Sequence, residues 1–170
     1  MTRAPIRITD ATEMSLPGLL EIYNAAIRSS LAIWTETEAT LKDRRDWLDY
    51  RRSSGFPVLA ATAGEDVAGY ASYGAFRPKS GYARTVEHSV YVADAFQGRG
   101  VGRALMNELI GRARAANIAA MVGGVDGGNA ASIAFHKRLG FEQQGVLKGV
   151  GEKFGRRLDL VFMVLDLEAR

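Results

Sequence analysis

The feature that most constrains this chain is one uninterrupted run. The β-branched and aromatic stretch Thr85 to Val92 stops at Ala93–Phe96, and Gln97-Gly98-Arg99-Gly100-Val101-Gly102-Arg103 follows. Val101, Leu105, Leu109, Ile110 and Ala113 then recur at helical spacing as far as about Ala116. A buried strand is thus predicted to feed, through a glycine-rich turn, a long amphipathic helix. The first backbone N–H groups of such a helix lack intrahelical partners, and its dipole adds positive potential, so the turn is built for an anion. Glycines let the main chain approach a pyrophosphate, and Arg99 and Arg103 add charge.

Two known phosphate-binding patterns do not fit. The run lacks the Gly-Lys-Ser/Thr ending of a nucleoside-triphosphate loop. Its Gly98-x-Gly100-x-Gly102 spacing differs from the dinucleotide fingerprint, whose last two glycines stand three apart. The bland alternative is an ordinary strand-to-helix turn with a solvated arginine face.

Around this segment the chain reads as alternating elements. Ser15 before Leu16-Pro17 is expected to start a helix, with Leu16, Leu19, Leu20, Tyr23, Ala26 and Ile27 on its apolar face. Thr40 and Asp43 read as a capping pair opening a second helix, which Gly55 ends. Strands are expected at Val58–Thr62, Val67–Phe76, Ala119–Val125, Phe141–Leu147 and Leu158–Leu167, with a helix at Ala130–Leu139. The order ααββ, βαβα, ββ predicts an α/β (α+β) fold, a central mixed sheet of about six or seven strands with helices on both faces. No repeat or linker divides it, so one domain over residues 1–170 is expected.

Composition narrows the chemistry. There is no cysteine, which removes disulfides, thiolate metal sites and cysteine nucleophiles, and the only histidines are His88 and His136, so no metal centre is expected. Net charge is +3, and Arg44/Arg45, Arg51/Arg52 and Arg156/Arg157 are pairs of a kind usually found on solvated faces, so no nucleic-acid partner is expected. No apolar run reaches the roughly 20 residues of a membrane helix, and Met1–Asp10 lacks an apolar signal core, so no membrane partner and a cytoplasmic location are expected.

Gln97-x-x-Gly100-x-Gly102 resembles the acetyl-CoA motif of the GNAT superfamily of N-acetyltransferases. Asn129-Ala-Ala-Ser132, His136 and Gly140-Phe141 resemble its second motif, in the right order and context. Within that superfamily the chain is similar to the phosphinothricin and methionine sulfoximine/sulfone acetyltransferases. The likeness runs through Ile22-Tyr23-Asn24, Ala32-Ile33-Trp34, Gly55-Phe56-Pro57-Val58-Leu59, Gly69-Tyr70-Ala71-Ser72, Thr85 to Val92 and Lys153-Phe154-Gly155-Arg156.

The resemblance implies the GNAT fold, acetyl-CoA as cosubstrate, a small amino-acid-like substrate, resistance to a phosphinothricin herbicide and a homodimer. It implies that Val90, Tyr91 and Val92 hold the pantetheine arm. Gln97, Gly98, Arg99, Gly100, Val101, Gly102 and Arg103 would cradle the pyrophosphate, with Asn129 and Ser132 farther along. Arg77, Pro78, Lys79, Glu87, His88 and Ser89 would border the amino-acid substrate. Phe76 and Arg157 stand where many relatives have Trp, and Lys79 where an aromatic is usual, which leaves the exact substrate open.

Acetylation needs a neutral amine, a polarised thioester carbonyl and a proton for the departing thiolate. An α-amino group titrates near pH 8, so a base helps at pH 7. Glu87 is the catalytic candidate, its pKa expected to rise on burial; the alternative is a structural carboxylate paired with an arginine such as Arg84. The backbone N–H of Tyr91 or Val92, freed where a strand splays from its neighbour, would polarise the carbonyl. No covalent enzyme intermediate is required.

His136 stands where many relatives carry a tyrosine and is the candidate proton donor, against a helix-face histidine packed beside Leu139. Glu87 and His88 alternate along one strand and should leave opposite faces; Glu87 is expected inside the pocket and His88 at its edge. Arg77 would grip a substrate carboxylate in a two-pronged bond, and Trp34 and Phe76 would form an apolar wall. Two rivals stay open: a GNAT enzyme for another amine (a polyamine, an aminoglycoside or a protein N-terminus), and a non-catalytic acetyl-CoA sensor.

Overall fold

A computed structural model describes residues 4–168. Residues 1–3 and 169–170, the ends of the expected 1–170 domain, lie outside the described residues. The strands are β1 (Ile6–Asp10), β2 (Val58–Ala63), β3 (Asp66–Ala75), β4 (Thr85–Val92), β5 (Ala120–Asp126), β6 (Glu142–Lys153) and β7 (Arg156–Asp166). The α-helices are α1 (Leu16–Ser29), α2 (Leu41–Ser53), α3 (Val101–Ala115) and α4 (Ala130–Arg138).

The strands form one seven-stranded sheet in the order β1-β2-β3-β4-β5-β7-β6. Every neighbouring pair is antiparallel except β4 with β5. That single parallel pair comes from the β4–turn–α3–β5 crossover, as the central run of the sequence requires. Its ladder is short: only Thr85–Glu87 pairs with Ala120–Val122. Beyond Glu87 the two strands part.

Alternation along the strands divides the apolar residues between two faces. Ala71, Tyr73, Val86, Met121 and Met163 pack with Leu105, Met106, Leu109 and Ala113 of α3. Ile133 and Phe135 of α4, and Leu139 just after it, join this cluster. Val58, Ala60 and Tyr70 pack on the other face against Leu16, Leu19 and Ile22 of α1 and Leu48 of α2. Each large apolar side chain so buried contributes on the order of 1.5–3 kcal/mol. Tyr70 and Tyr73, expected as core, are almost fully buried.

Three local readings are corrected. The sequence reading omitted β1, whose five residues are an edge strand with Ile6 and Ile8 half-buried, too short and too exposed to show a clear period. Ser15 stands at the N-cap of α1 as expected, but its side chain makes no capping bond: it is helical at φ −79°, and a 3₁₀ turn over Glu13–Ser15 brings the chain into α1. Its hydroxyl instead accepts from the Thr12 N–H at 3.0 Å. β6 runs on to Lys153, past the expected end at Leu147, through an irregular register between Leu147 and Gly151. The Thr40–Asp43 capping box forms as expected, and Gly55 follows α2 at φ +75°.

The segment between α1 and α2 is pinned from within. Asn24 spans the backbone of Ala39, donating to its carbonyl and accepting from its N–H, each at 2.9 Å. The Lys153 side chain, 1% exposed, donates to the carbonyls of Ile27, Ser30 and Ile33, each at 2.7 Å. The carbonyl end of α1 is where a cation is favoured.

Candidate active site

On the α3–α4 face lies a cleft of about 550 Å³. Its walls include Val90 and Val92 of β4, the turn residues Phe96–Gly98 and Gly100, Val101–Arg103 of α3, and Asn129 with Ser132, Phe135 and Arg138 of α4. The turn has a definite reason for its glycines. Gly98 and Gly100 stand at φ +70° and +79°, a left-handed backbone that other residues adopt at a cost. A side chain at either would meet only open space, so backbone conformation and not crowding by the protein selects glycine.

The expected anion-facing residues line this cleft, except Arg99, which lies just outside its walls. Gly100 is the N-cap of α3, leaving the first N–H groups of a fifteen-residue helix turned to the cleft end. Gln97 reaches back, its amide donating to Asp94 Oδ1 at 2.9 Å. The Arg99 guanidinium lies 4.7 Å from the centre of the Phe96 ring, and Arg103 is exposed. Asn129 caps α4, its Oδ1 accepting from the Ser132 N–H at 3.0 Å. Arg138, not picked out in the sequence, adds a further cation to the cleft wall. Its only sequence signal is the basic last turn of α4.

The cleft leads to the opening between β4 and β5. A smaller cavity of about 90 Å³ fills that wedge, lined by Ala32, His88, Ser89, Val90, Tyr91, Gly124, Val125, Asp126, Asn129, Ser132 and His136. Val90, Asn129 and Ser132 border both spaces.

Two imidazoles stack at the wedge, ring centres 5.1 Å apart at 29°. His136 has Nδ1 2.7 Å from the Ser132 carbonyl and Nε2 3.2 Å from His88 Nε2. Because the carbonyl only accepts, His136 Nδ1 carries a hydrogen. Phe135 and Phe141 meet the His136 ring edge-on. Both histidines are buried, and burial lowers both pKa values, that of His88 to about 3. His136 is therefore neither a solvated helix-face residue nor a free donor: both of its nitrogens are engaged.

Glu87 takes the opposite face. Glu87, Ser89 and Tyr91 pair in register with Gly74, Ser72 and Tyr70, beneath α1 and α2. The Glu87 carboxylate is half-buried over Gly124, where a side chain would meet its Oε1 at 3.4 Å. Burial raises its pKa, and the charges of Arg77 and Arg51 oppose the rise. Tyr91, deeper on the same face, is pushed up to about 12, chiefly by burial. The alternative partner for Glu87 is excluded. Arg84 instead binds Asn117 and forms an ion pair with Glu168.

The remaining expected residues are spread around this face. Arg77, Pro78 and Lys79 are exposed, and Arg77 donates to the Phe76 carbonyl at 2.9 Å. Phe76 packs edge-on against Tyr82 and Phe162. Trp34 rests on Gly151, where any side chain would overlap its ring. Two members of the paired arginines are not solvated as expected. Arg44 is 6% exposed and lies 3.8 Å from the Trp47 ring centre, and Arg51 is half-buried. Lys153 and these two arginines were missed; only the seven-residue spacing of Arg44 and Arg51 along one helix face hinted at a shared direction.

The chain matches the acetyltransferase (GNAT) family over residues 19–141. It belongs to that family. One relative of this GNAT chain is the L-methionine sulfoximine/L-methionine sulfone acetyltransferase of Pseudomonas aeruginosa, 51% identical over 95% of this chain and 94% of the relative. Among solved structures, the ribosomal-protein-alanine N-acetyltransferase of Brucella melitensis is 51% identical with a TM-score of 0.93, over 94% of this chain and 99% of that one. The phosphinothricin acetyltransferase of Sinorhizobium meliloti, solved with acetyl-CoA, is 34% identical with a TM-score of 0.90, over 98% and 89%. These likenesses extend through α1, α2 and the β6–β7 hairpin of the GNAT chain, beyond the segment that bears the acetyltransferase motifs. Among the described residues no group of three or more His, Cys, Asp or Glu side chains is arranged to hold a metal, and no helix is long and apolar enough to cross a membrane.

Proposed function

We propose that this GNAT acetyltransferase moves acetyl from acetyl-CoA directly to the α-amino group of methionine sulfoximine, methionine sulfone or phosphinothricin. One observation carries the reading. β4 leaves β5 immediately after Glu87, so a chain lying along Val90–Val92 can pass between the strands and present its end to Glu87 on the far face.

The residues of the large cleft fit a diphosphate followed by a narrow arm. Gly98, Gly100 and the first N–H groups of α3 supply main-chain donors, and Arg99, Arg103 and Arg138 supply charge. Gln97, Val101, Gly102, Asn129 and Ser132 shape the walls, and Val90–Val92 offer strand backbone to the pantetheine. Bound acetyl-CoA supplies an activated acyl group.

Glu87 then takes a proton from the substrate ammonium, directly or through water, and its raised pKa suits that task. The Val92 N–H, on the edge of β4 turned to the wedge, stabilises the developing negative charge on the carbonyl oxygen; the Tyr91 N–H faces β3, as does that of Ala93, which bonds to the Ala68 carbonyl. Once its contact with His88 opens, His136 Nε2 takes the second proton that the nitrogen loses after attack and passes it to the leaving sulfur. His88 and Ser89 flank the wedge, Arg77, Pro78 and Lys79 form the rim, and Trp34 and Phe76 stand on the apolar side.

Exposed Val146, Leu147, Val150 and Phe154 on edge strand β6 and its turn support a homodimer through that edge. Use of acetyl-CoA supports a cytoplasmic site of action, and acetylation of phosphinothricin would make its host resistant to that herbicide.

The test is thiol release from acetyl-CoA with methionine sulfoximine, methionine sulfone and phosphinothricin, against lysine, spermidine, kanamycin and a peptide beginning with alanine. The first three should be preferred. If the peptide or a polyamine is preferred, the substrate class is wrong. If acetyl-CoA binds and no amine releases thiol, the chain is a sensor.

A further inference from the structure

Helix α2 turns two guanidinium groups toward β3 and β4. Arg44 is enclosed by aromatic rings, with its carbon 3.8 Å from the centre of Trp47 and 4.4 Å from that of Tyr23. Arg51 reaches farther. Its Nη1 lies 1.4 Å from the position a side chain on Gly74 would take. The guanidinium therefore occupies the space left by the missing side chain. Gly74 is the register partner of Glu87, so this cation sits on the same face, one strand across from the carboxylate. Yet no hydrogen bond or ion pair joins them. Among the described residues, Arg51 Nε is fully buried and has no partner. A half-buried guanidinium with a desolvated Nε–H and no acceptor is costly, and part of that cost is recovered when an anion arrives.

We propose that Arg51 holds the α-carboxylate of the amino-acid substrate while Glu87 receives its α-ammonium group. This rests on the amino-acid acetylation reading above. In an α-amino acid both groups hang on one carbon, so their receivers must be neighbours. Cross-strand partners have Cα atoms about 4.5–5.5 Å apart, which meets that demand. Arg77 is the competing receiver, but it is exposed and already donates to the Phe76 carbonyl. Exposure leaves it screened by water, whereas Arg51 acts where charge is felt most strongly.

The readout is the preference for methionine sulfone over its α-carboxamide, taken as a ratio of kcat/KM values. The wild-type enzyme should prefer the acid strongly. Arg51→Gln should cut that preference by about 10- to 100-fold, the worth of one charge-assisted contact. Gly74→Ala should do the same without touching any charge, because the methyl group displaces the guanidinium. The double variant should be no worse than either single variant. Thermal melts accompany each protein to show that it is folded. A preference that survives Arg51→Gln, or one that falls only in Arg77→Gln, overturns the proposal and leaves the acetylation reading standing. A wild-type enzyme that acetylates no amino acid overturns both.

Discussion

His88 Nε2 and His136 Nε2 lie 3.2 Å apart, and the geometry dictates which of them holds the hydrogen. His136 must donate from Nδ1 to the Ser132 carbonyl, so when neutral its Nε2 is a bare acceptor. His88 then carries its hydrogen on Nε2 and donates it. That leaves His88 Nδ1 buried with no partner. Protonating His136 would set a second donor against that of His88, and protonating His88 would bury a charged N–H at Nδ1 with no acceptor.

This pair makes the fold acid-sensitive. The pKa of His88 is lowered by burial, then by His136, to about 3, against an ordinary 6.5. A depressed pKa means that the stabilising contribution is full above pH 6.5 and is lost as pH falls from there toward 3. The loss has a ceiling of about 1.4 kcal/mol per pH unit. Melting temperatures from pH 7.5 to 5 should fall more steeply for the wild type than for His88→Gln. Parallel curves would show that the pair does not titrate in this way.

Room for the two rings comes from β5. A side chain on Gly123 would stand 2.7 Å from His88 Nε2 and 3.2 Å from His136 Nε2. Gly123→Ala should force the rings apart and destabilise the fold by about 1–3 kcal/mol, the usual range for overpacking. Chemical denaturation measures this directly. A loss below about 0.5 kcal/mol would mean that the pair yields easily.

Glu87→Gln separates chemistry from stability. Turnover near pH 7 should drop by about two to three powers of ten, and the deficit should shrink in alkali, where the amine loses its proton unaided. Stability should move the other way. Burial raises the pKa of Glu87, so its contribution is full below the ordinary carboxylate range and is lost as pH rises through the raised value. The glutamine variant should therefore melt no lower than the wild type at pH 8 and slightly lower at pH 4. An activity deficit equal at every pH would remove Glu87 as the base.

Lys153 ties strand β6 to the end of α1. Replacing it by Met keeps the bulk but leaves three carbonyls that the ammonium had satisfied. The expected loss is about 2–4 kcal/mol, with Lys153→Arg giving little rescue because a planar fork cannot meet three converging acceptors. Limited proteolysis should cut first in the 30–39 segment. Cleavage there at the wild-type rate would show that Asn24 alone holds it.

Residues close in sequence announced most of the fold. The run from Thr85 through Arg103 is a strand, a turn and a helix because each depends on a period or a dihedral that neighbours decide: two along β4, about 3.6 along α3, positive φ at Gly98 and Gly100. The same alternation separated Glu87 from His88 before any contact was known. β1 was lost because five residues, only Ile6 and Ile8 of them partly buried, carry too short a pattern.

The meetings of distant groups were set by packing in three dimensions. Arg84 turned to Glu168 and not to Glu87, Arg51 settled on the bare backbone of Gly74, and two lone histidines became one stacked pair against Gly123. Which elements form, and where a phosphate-seeking turn must lie, could be read along the chain, since those follow from local geometry. Which buried charge faces which was decided by packing, because burial and pairing depend on strand order and register, and no short stretch of chain encodes them alone.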